Sequence, residues 1–153
     1  VIALKTNFKQ PFMKLVFTGI TIMWLGIVTV LSLMSPTYND VSLFPNSDKA
    51  VHFLLYGIFS IFLLSRLQLE VNLSQQSVII ITICIAVLYG GLMEISQELF
   101  TSNREASFWD FLANGIGALA ATAAYKRWLW IPIGRNFAIP VVSRSPIQVT
   151  SKN

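Results

Sequence analysis

Four apolar stretches separated by short polar interruptions order this chain. Leu15 to Met34 is 20 residues without a charge, enough at about 1.5 Å per residue to cross a bilayer core of about 30 Å. Three more follow, over about 49–67, 77–97 and 108–125. Arg66 closes the second, and Lys126 and Arg127 close the fourth, where long cationic side chains reach the interface. The pattern predicts an all-α fold, a polytopic membrane protein whose residues 1–127 form a bundle of four transmembrane helices. Lys5, Lys9 and Lys14 also fit the start of a signal peptide, but the run is long and no Ala-x-Ala site follows it, so an uncleaved helix is expected. Trp128-Leu129-Trp130-Ile131-Pro132 is too short to span. Its tryptophans beside two cations match an interfacial belt, so residues 128–153 are expected to form an interfacial and cytosolic tail.

Composition agrees. Hydrophobic residues make up 54% and charged residues 12%, against roughly 25% charged in soluble domains. The net charge of +4 does not point to nucleic acid, because the cations flank apolar segments as topology signals do. With the N-terminus inside, Lys5, Lys9, Lys14, Arg66, Lys126, Arg127, Arg135, Arg144 and Lys152 fall on the inner side, and only Lys49 and Arg104 fall outside. Of the acids, only Glu70 is inside. This bias and the even number of spans put both termini in the cytoplasm. Cys84 is the single cysteine, which rules out an intrachain disulfide and a cysteine metal site; it reads as buried or lipid-facing filling.

Topology then gathers the polar residues. Asp48, Lys49 and His52 open the second span, Glu94, Gln97 and Glu98 close the third, Arg104 lies in the loop, and Asp110 and Asn114 open the fourth. All share the outer interface. Asp48, His52 and Tyr56 are spaced i, i+4, i+8, and Asp110, Asn114 and Gly117 are spaced i, i+4, i+7, so each helix carries a polar stripe. Lipid is the costly direction for such stripes, and the bundle interior is the expected one. Ala113, Gly117 and Ala121 repeat at four-residue spacing and predict close helix approach. Bland accounts exist for some of these residues. Asp48 fits a first-turn acid, Ser107-x-x-Asp110 fits a capping box, Lys49 fits an interfacial snorkel, and Arg104 fits a counter-ion in a structural network. In a functional reading, His52, Glu94 and Asp110 are the candidate catalytic groups. His52 would be base or nucleophile oriented by Asp48, with Glu94 or Asp110 as acid or metal holder. Asp48, Lys49, Tyr56, Gln97, Arg104 and Asn114 are the candidate ligand-binding groups. Two helix N-termini with Arg104, Lys49 and His52 would suit an anion. If a metal is used, one histidine among carboxylates favours an oxygen-bound divalent cation such as magnesium over zinc.

The segments Asp48-Lys49-x-x-His52-Phe53-x-x-Tyr56, Tyr89-Gly90-x-x-x-Glu94-x-x-Gln97 and Arg104-x-x-Ser107-x-x-Asp110-x-x-x-Asn114-x-x-Gly117 together resemble the VanZ-like family of small membrane proteins. The resemblance covers roughly 47–125. It implies four spans and a bacterial envelope location in the cytoplasmic (inner) membrane, with a link to low-level resistance to the glycopeptide antibiotic teicoplanin. It supplies no reaction. Three readings follow. One is a binding protein whose outward pocket takes a lipid headgroup, wall precursor or glycopeptide. Another is a membrane-embedded hydrolase or transferase acting on a phosphorylated or acylated lipid at the outer leaflet. The third is a small subunit that partners other membrane proteins. G-x-S-x-G, H-E-x-x-H and P-loop motifs are missing, which leaves the enzyme question open. Transport is disfavoured, because the inner halves of the spans carry no polar path.

Overall fold

The computed structural model describes residues 9–34, 47–70, 73–101 and 105–128. These form four helices, α1 (Lys9–Leu33), α2 (Ser47–Leu67), α3 (Gln75–Phe100) and α4 (Phe108–Trp128), with no strand among the described residues. The expected elements are present with shifted ends. Helix α1 starts before its uncharged run because Pro11 falls in the first turn, where its missing N–H costs no helical bond. Helix α3 starts at Gln75 because Ser74 caps it, accepting from the Ser77 N–H at 3.1 Å. It continues past Gln97 to Phe100 and closes where the Thr101 N–H donates to the Gln97 carbonyl. Arg104 and residues 129–153 lie outside the described residues, and with them most of the expected tail.

Three of the helices, over Pro11–Leu33, Ser47–Leu67 and Gln75–Phe100, are long and apolar enough to cross a membrane. Helix α4 has 21 residues but is not in that set, since it spends many of them on alanine and glycine and includes Asp110 and Asn114. The side chains are distributed the opposite way from a soluble bundle. On α3, Ile80, Leu88, Leu92, Ile95 and Leu99 are each at least 55% exposed, while Thr82, Glu94 and Gln97 are each at most 4% exposed. Cys84 lies on the exposed side.

Helices α2 and α3 form the centre, each packed on the other and on both remaining helices, while α1 and α4 do not touch. The core joins Val28, Tyr56, Phe59, Ala86 and Ala118, and a second cluster holds Leu64, Val78 and Tyr125. Polar contacts tie the helices together. The Trp24 indole donates to the Leu55 carbonyl at 3.0 Å, and the Tyr89 hydroxyl meets Thr29 Oγ1 at 2.6 Å. Ser65 and Tyr125 pair their hydroxyls at 3.1 Å. The closest approach is between α2 and α4. There Gly117 faces the Phe53 backbone and Gly57 faces the Gly117 carbonyl, as the small-residue spacing led us to expect.

The two ends of the bundle differ. At one end, Arg66 donates to Glu70 at 2.6 Å and to Thr18 at 2.7 Å, and Lys14 reaches the other Glu70 oxygen at 3.0 Å. Beyond the interfacial snorkel and topology signal expected of it, Arg66 fastens the α2–α3 turn to α1. The hydrogen bond from Arg66, followed by that from Lys14, holds the Glu70 carboxyl below its ordinary range. A depressed carboxyl contributes stability above its unfolded pKa of about 4.3 and loses it as pH falls through the folded value. Because Glu70 is partly exposed, the contribution is that of a surface network, about 0.2–1 kcal/mol. Glu70→Gln is therefore expected to lower the melting temperature slightly at pH 7. The gap from the parent should close as thermal unfolding is repeated toward pH 3; a constant gap would show that the carboxylate's charge is not what matters.

Candidate functional site

At the opposite end, α2 and α4 begin and α3 finishes. Helix α2 contributes Asp48, Lys49, His52 and Tyr56, α3 contributes Glu94, and α4 contributes Asp110 and Asn114. Side-chain exposure falls steadily inward, from 49% at Asp48 through 33% at Lys49 and 12% at Asp110 to 7% at His52 and 6% at Glu94. Asn114 and Tyr56 are fully buried. The stripes expected from helical spacing therefore converge, and their residues run from the rim of the bundle to its interior.

His52 stands at the meeting point. Its Nδ1 lies 3.0 Å from Asn114 Oδ1 and 3.6 Å from Glu94 Oε1. Both neighbours are acceptors, so this nitrogen carries a hydrogen, and in the neutral ring Nε2 is the proton acceptor. The expected orienting role of Asp48 falls instead to Asn114 and Glu94. Asp48 points to the rim, 3.2 Å from Lys49. Lys49 also lies 3.6 Å from Asp110, so it links two carboxylates rather than merely snorkelling.

The expected capping box is half formed. Ser107 Oγ accepts from the Asp110 N–H at 3.3 Å, but the Ser107 N–H donates to Glu94 Oε2 at 3.2 Å. A carboxylate from α3 thus replaces the Asp110 side chain in the reciprocal half of the cap. Asp110 is left to face Lys49, and Glu94 ties α3 to the entry of α4. Gln97 turns away from the cluster. Its Nε2 donates 3.0 Å to the Ser32 carbonyl near the end of α1. Glu98 is exposed.

Sequence reasoning named Gly90 only as part of a motif. A Cβ there would lie 3.0 Å from Asn114 Nδ2 and 3.3 Å from Tyr56 Cε1, so its missing side chain makes room for both. The signal was present in its position one turn before Glu94. Ser107 was noticed for its hydroxyl, whereas its N–H makes the interhelical bond, and no residue pattern reports a backbone donor.

Several buried polar atoms at this end have no hydrogen-bond partner, namely Tyr56 Oη, Glu94 Oε1, Asp110 Oδ1 and Asn114 Nδ2. Among the described residues, no group of three or more His, Cys, Asp or Glu side chains is placed to hold a metal ion. The set can hold and pass a proton, accept hydrogen bonds and attract positive charge. Comparison with protein-family models, curated proteins and solved structures found no significant match.

Proposed function

We propose that this chain is a multi-pass protein of a bacterial cytoplasmic membrane, of the VanZ-like kind. Its polar centre, at the extracytoplasmic end of the bundle, binds the polar part of an envelope amphiphile, either a lipid headgroup or a lipid-linked wall precursor. Glycopeptide tolerance would be the cellular consequence, as the resemblance to the VanZ-like family implies. The observation that carries the binding reading is the set of buried polar atoms without a hydrogen bond on Tyr56, Glu94, Asp110 and Asn114, inward of Asp48 and Lys49 at the rim. Buried polar groups without partners are costly unless another molecule satisfies them.

Helix α4 serves as the fourth span in this reading. Its 21 residues match the bilayer, and its polar residues Asp110, Asn114 and Thr122 are turned inward, at most 8% exposed. The excess of cations at the opposite end supports this orientation. In a Cys84→Ser background, a cysteine at Glu105 should react with an impermeant thiol reagent in intact cells and one at Ser74 should not; the reverse result would invert the topology.

For function, expression in a sensitive bacterium should raise teicoplanin tolerance. His52→Ala and Glu94→Gln should abolish the gain while reaching the membrane in normal amounts. Equal tolerance with and without the chain would sink the envelope role. A second reading, hydrolase or transferase action on an outer-leaflet lipid, draws on His52, whose held Nδ1 leaves Nε2 free to take a proton. Turnover of a phosphorylated or acylated lipid by purified protein, lost in His52→Ala, would select it.

A further inference from the structure

The buried end of the bundle is short of positive charge. Asp48, Glu94 and Asp110 are acidic, and Lys49 is the only cation beside them among the described residues. Its ammonium is divided between Asp48 at 3.2 Å and Asp110 at 3.6 Å. The donors beside Glu94 are neutral, the Ser107 N–H on Oε2 and the Asn114 amide. Glu94 Oε1 faces the His52 ring at 3.6 Å, outside hydrogen-bond reach. Glu94 and Asp110 are only 4% and 8% exposed. Glu94 lies close to Asp110, His52 and Asn114, and Tyr56 lies close to Glu94.

The unfilled requirement is specific. An anion would meet two carboxylates, and two of the donors at the start of α4 are already taken by Glu94 and Ser107. Among the described residues no group of three or more His, Cys, Asp or Glu side chains is placed to hold a metal ion. A primary ammonium brings one positive charge and three N–H donors. Three oxygens make no close hydrogen bond: Glu94 Oε1, Asp110 Oδ1, which Lys49 approaches only to 3.6 Å, and the Tyr56 hydroxyl.

We propose that this end of the bundle binds a primary ammonium group, with Glu94, Asp110 and Tyr56 as its acceptors. Lys49 at the rim then meets an attached phosphate, so the fitting ligand is a zwitterionic aminophosphate headgroup. The inference rests on the reading of the site as a binder of envelope amphiphiles and narrows its ligand. Arg104, in the loop before α4, is the chain's own competing source of positive charge, and the test includes it.

The full chain, purified in detergent, is offered equimolar phosphatidylethanolamine, phosphatidylcholine and phosphatidylglycerol, and retained lipid is counted by native mass spectrometry. One phosphatidylethanolamine per chain is expected, preferred about tenfold over phosphatidylcholine, which keeps the charge but has no N–H; tenfold corresponds to about 1.4 kcal/mol. Glu94→Gln and Asp110→Asn should each reduce that preference severalfold. In a lipid-free arm, ethanolamine that raises the melting temperature where tetramethylammonium does not would support the same ammonium site filled by a free amine.

Equal retention of the amine and its trimethylated form would overturn the ammonium assignment, as would a preference for phosphatidylglycerol or ethanolamine binding that emerges only in Arg104→Ala. Each would leave a lipid site standing if Glu94→Gln still lowered retention. Retention of no lipid, together with no response to ethanolamine, would overturn the ammonium assignment and the binding reading together.

Discussion

Replacing Gly117 by alanine is expected to separate α2 from α4 and to cost the bundle more than any other single methyl group. A Cβ at this position would overlap the Phe53 carbonyl oxygen and lie 3.0 Å and 3.1 Å from the Phe53 carbonyl carbon and Cα. The obstacle is helical backbone, which cannot rotate aside as a side chain does. A carbon and a carbonyl oxygen rest at about 3.3–3.6 Å, so the helices must move apart by about 1 Å. Overpacking of this kind costs about 1–3 kcal/mol, and more where backbone must move. The site suffers too. His52 is next to Phe53 and Asn114 is one turn before Gly117, so the 3.0 Å contact between them opens with the helices. Gly19 and Gly26 on α1 supply the control, since a Cβ at either meets nothing within 4 Å. There alanine should be neutral or gain up to about 1 kcal/mol of helix propensity. Melting temperatures of the three variants in one detergent decide the matter. A Gly117→Ala protein as stable as Gly26→Ala would mean that α2 and α4 do not pack at this distance.

What could be read from the residues, and what could not, divides along a physical line. Apolar run length gave the helices, because 20 residues without a charge have few other uses. Periodicity gave the inward faces, because Asp48, His52 and Tyr56 or Asp110, Asn114 and Gly117 cannot share a stripe by helical geometry and point in unrelated directions. Partner choice was not legible. His52 had Asp48 four residues earlier on its own helix, yet its partners come from α3 and α4. Lys49 won Asp48 because an exposed lysine can bend back to its neighbour. Gln97 shared a stripe with Glu94 but sits one turn nearer the end of α1, where it donates to the Ser32 carbonyl. Ser107-x-x-Asp110 specified a cap, but Glu94 reached the free N–H first. In each case local spacing named the face, and the neighbouring helix chose the contact.

The residue on which that choice turns is Asn114, and its replacement by leucine is the second large effect expected. Leucine is close to asparagine in size, so little space opens, and the change isolates polarity. The side chain is fully buried, and its Oδ1 accepts from the histidine at 3.0 Å. Between helices in a membrane such a bond contributes about 0.6–2 kcal/mol. The larger loss comes from what remains. The His52 N–H keeps only a carboxylate oxygen at 3.6 Å, and an unsatisfied buried polar group costs about 1–3 kcal/mol. Both describe the same broken bond, so the expected loss is about 1–3 kcal/mol, read as a lower melting temperature and a shift in denaturant midpoint. Ser60→Ala is the matched control. Ser60 is equally buried, but its hydroxyl bonds only the Tyr56 carbonyl of its own helix, at 2.8 Å, so its loss should be about 0.5 kcal/mol or less. Adding His52→Leu to Asn114→Leu should recover part of the stability, because removing both partners of a buried pair leaves no stranded donor. A double variant less stable than either single one would show that the histidine and asparagine act on the fold separately, and that the centre is an assembly of independent polar residues rather than one coupled site.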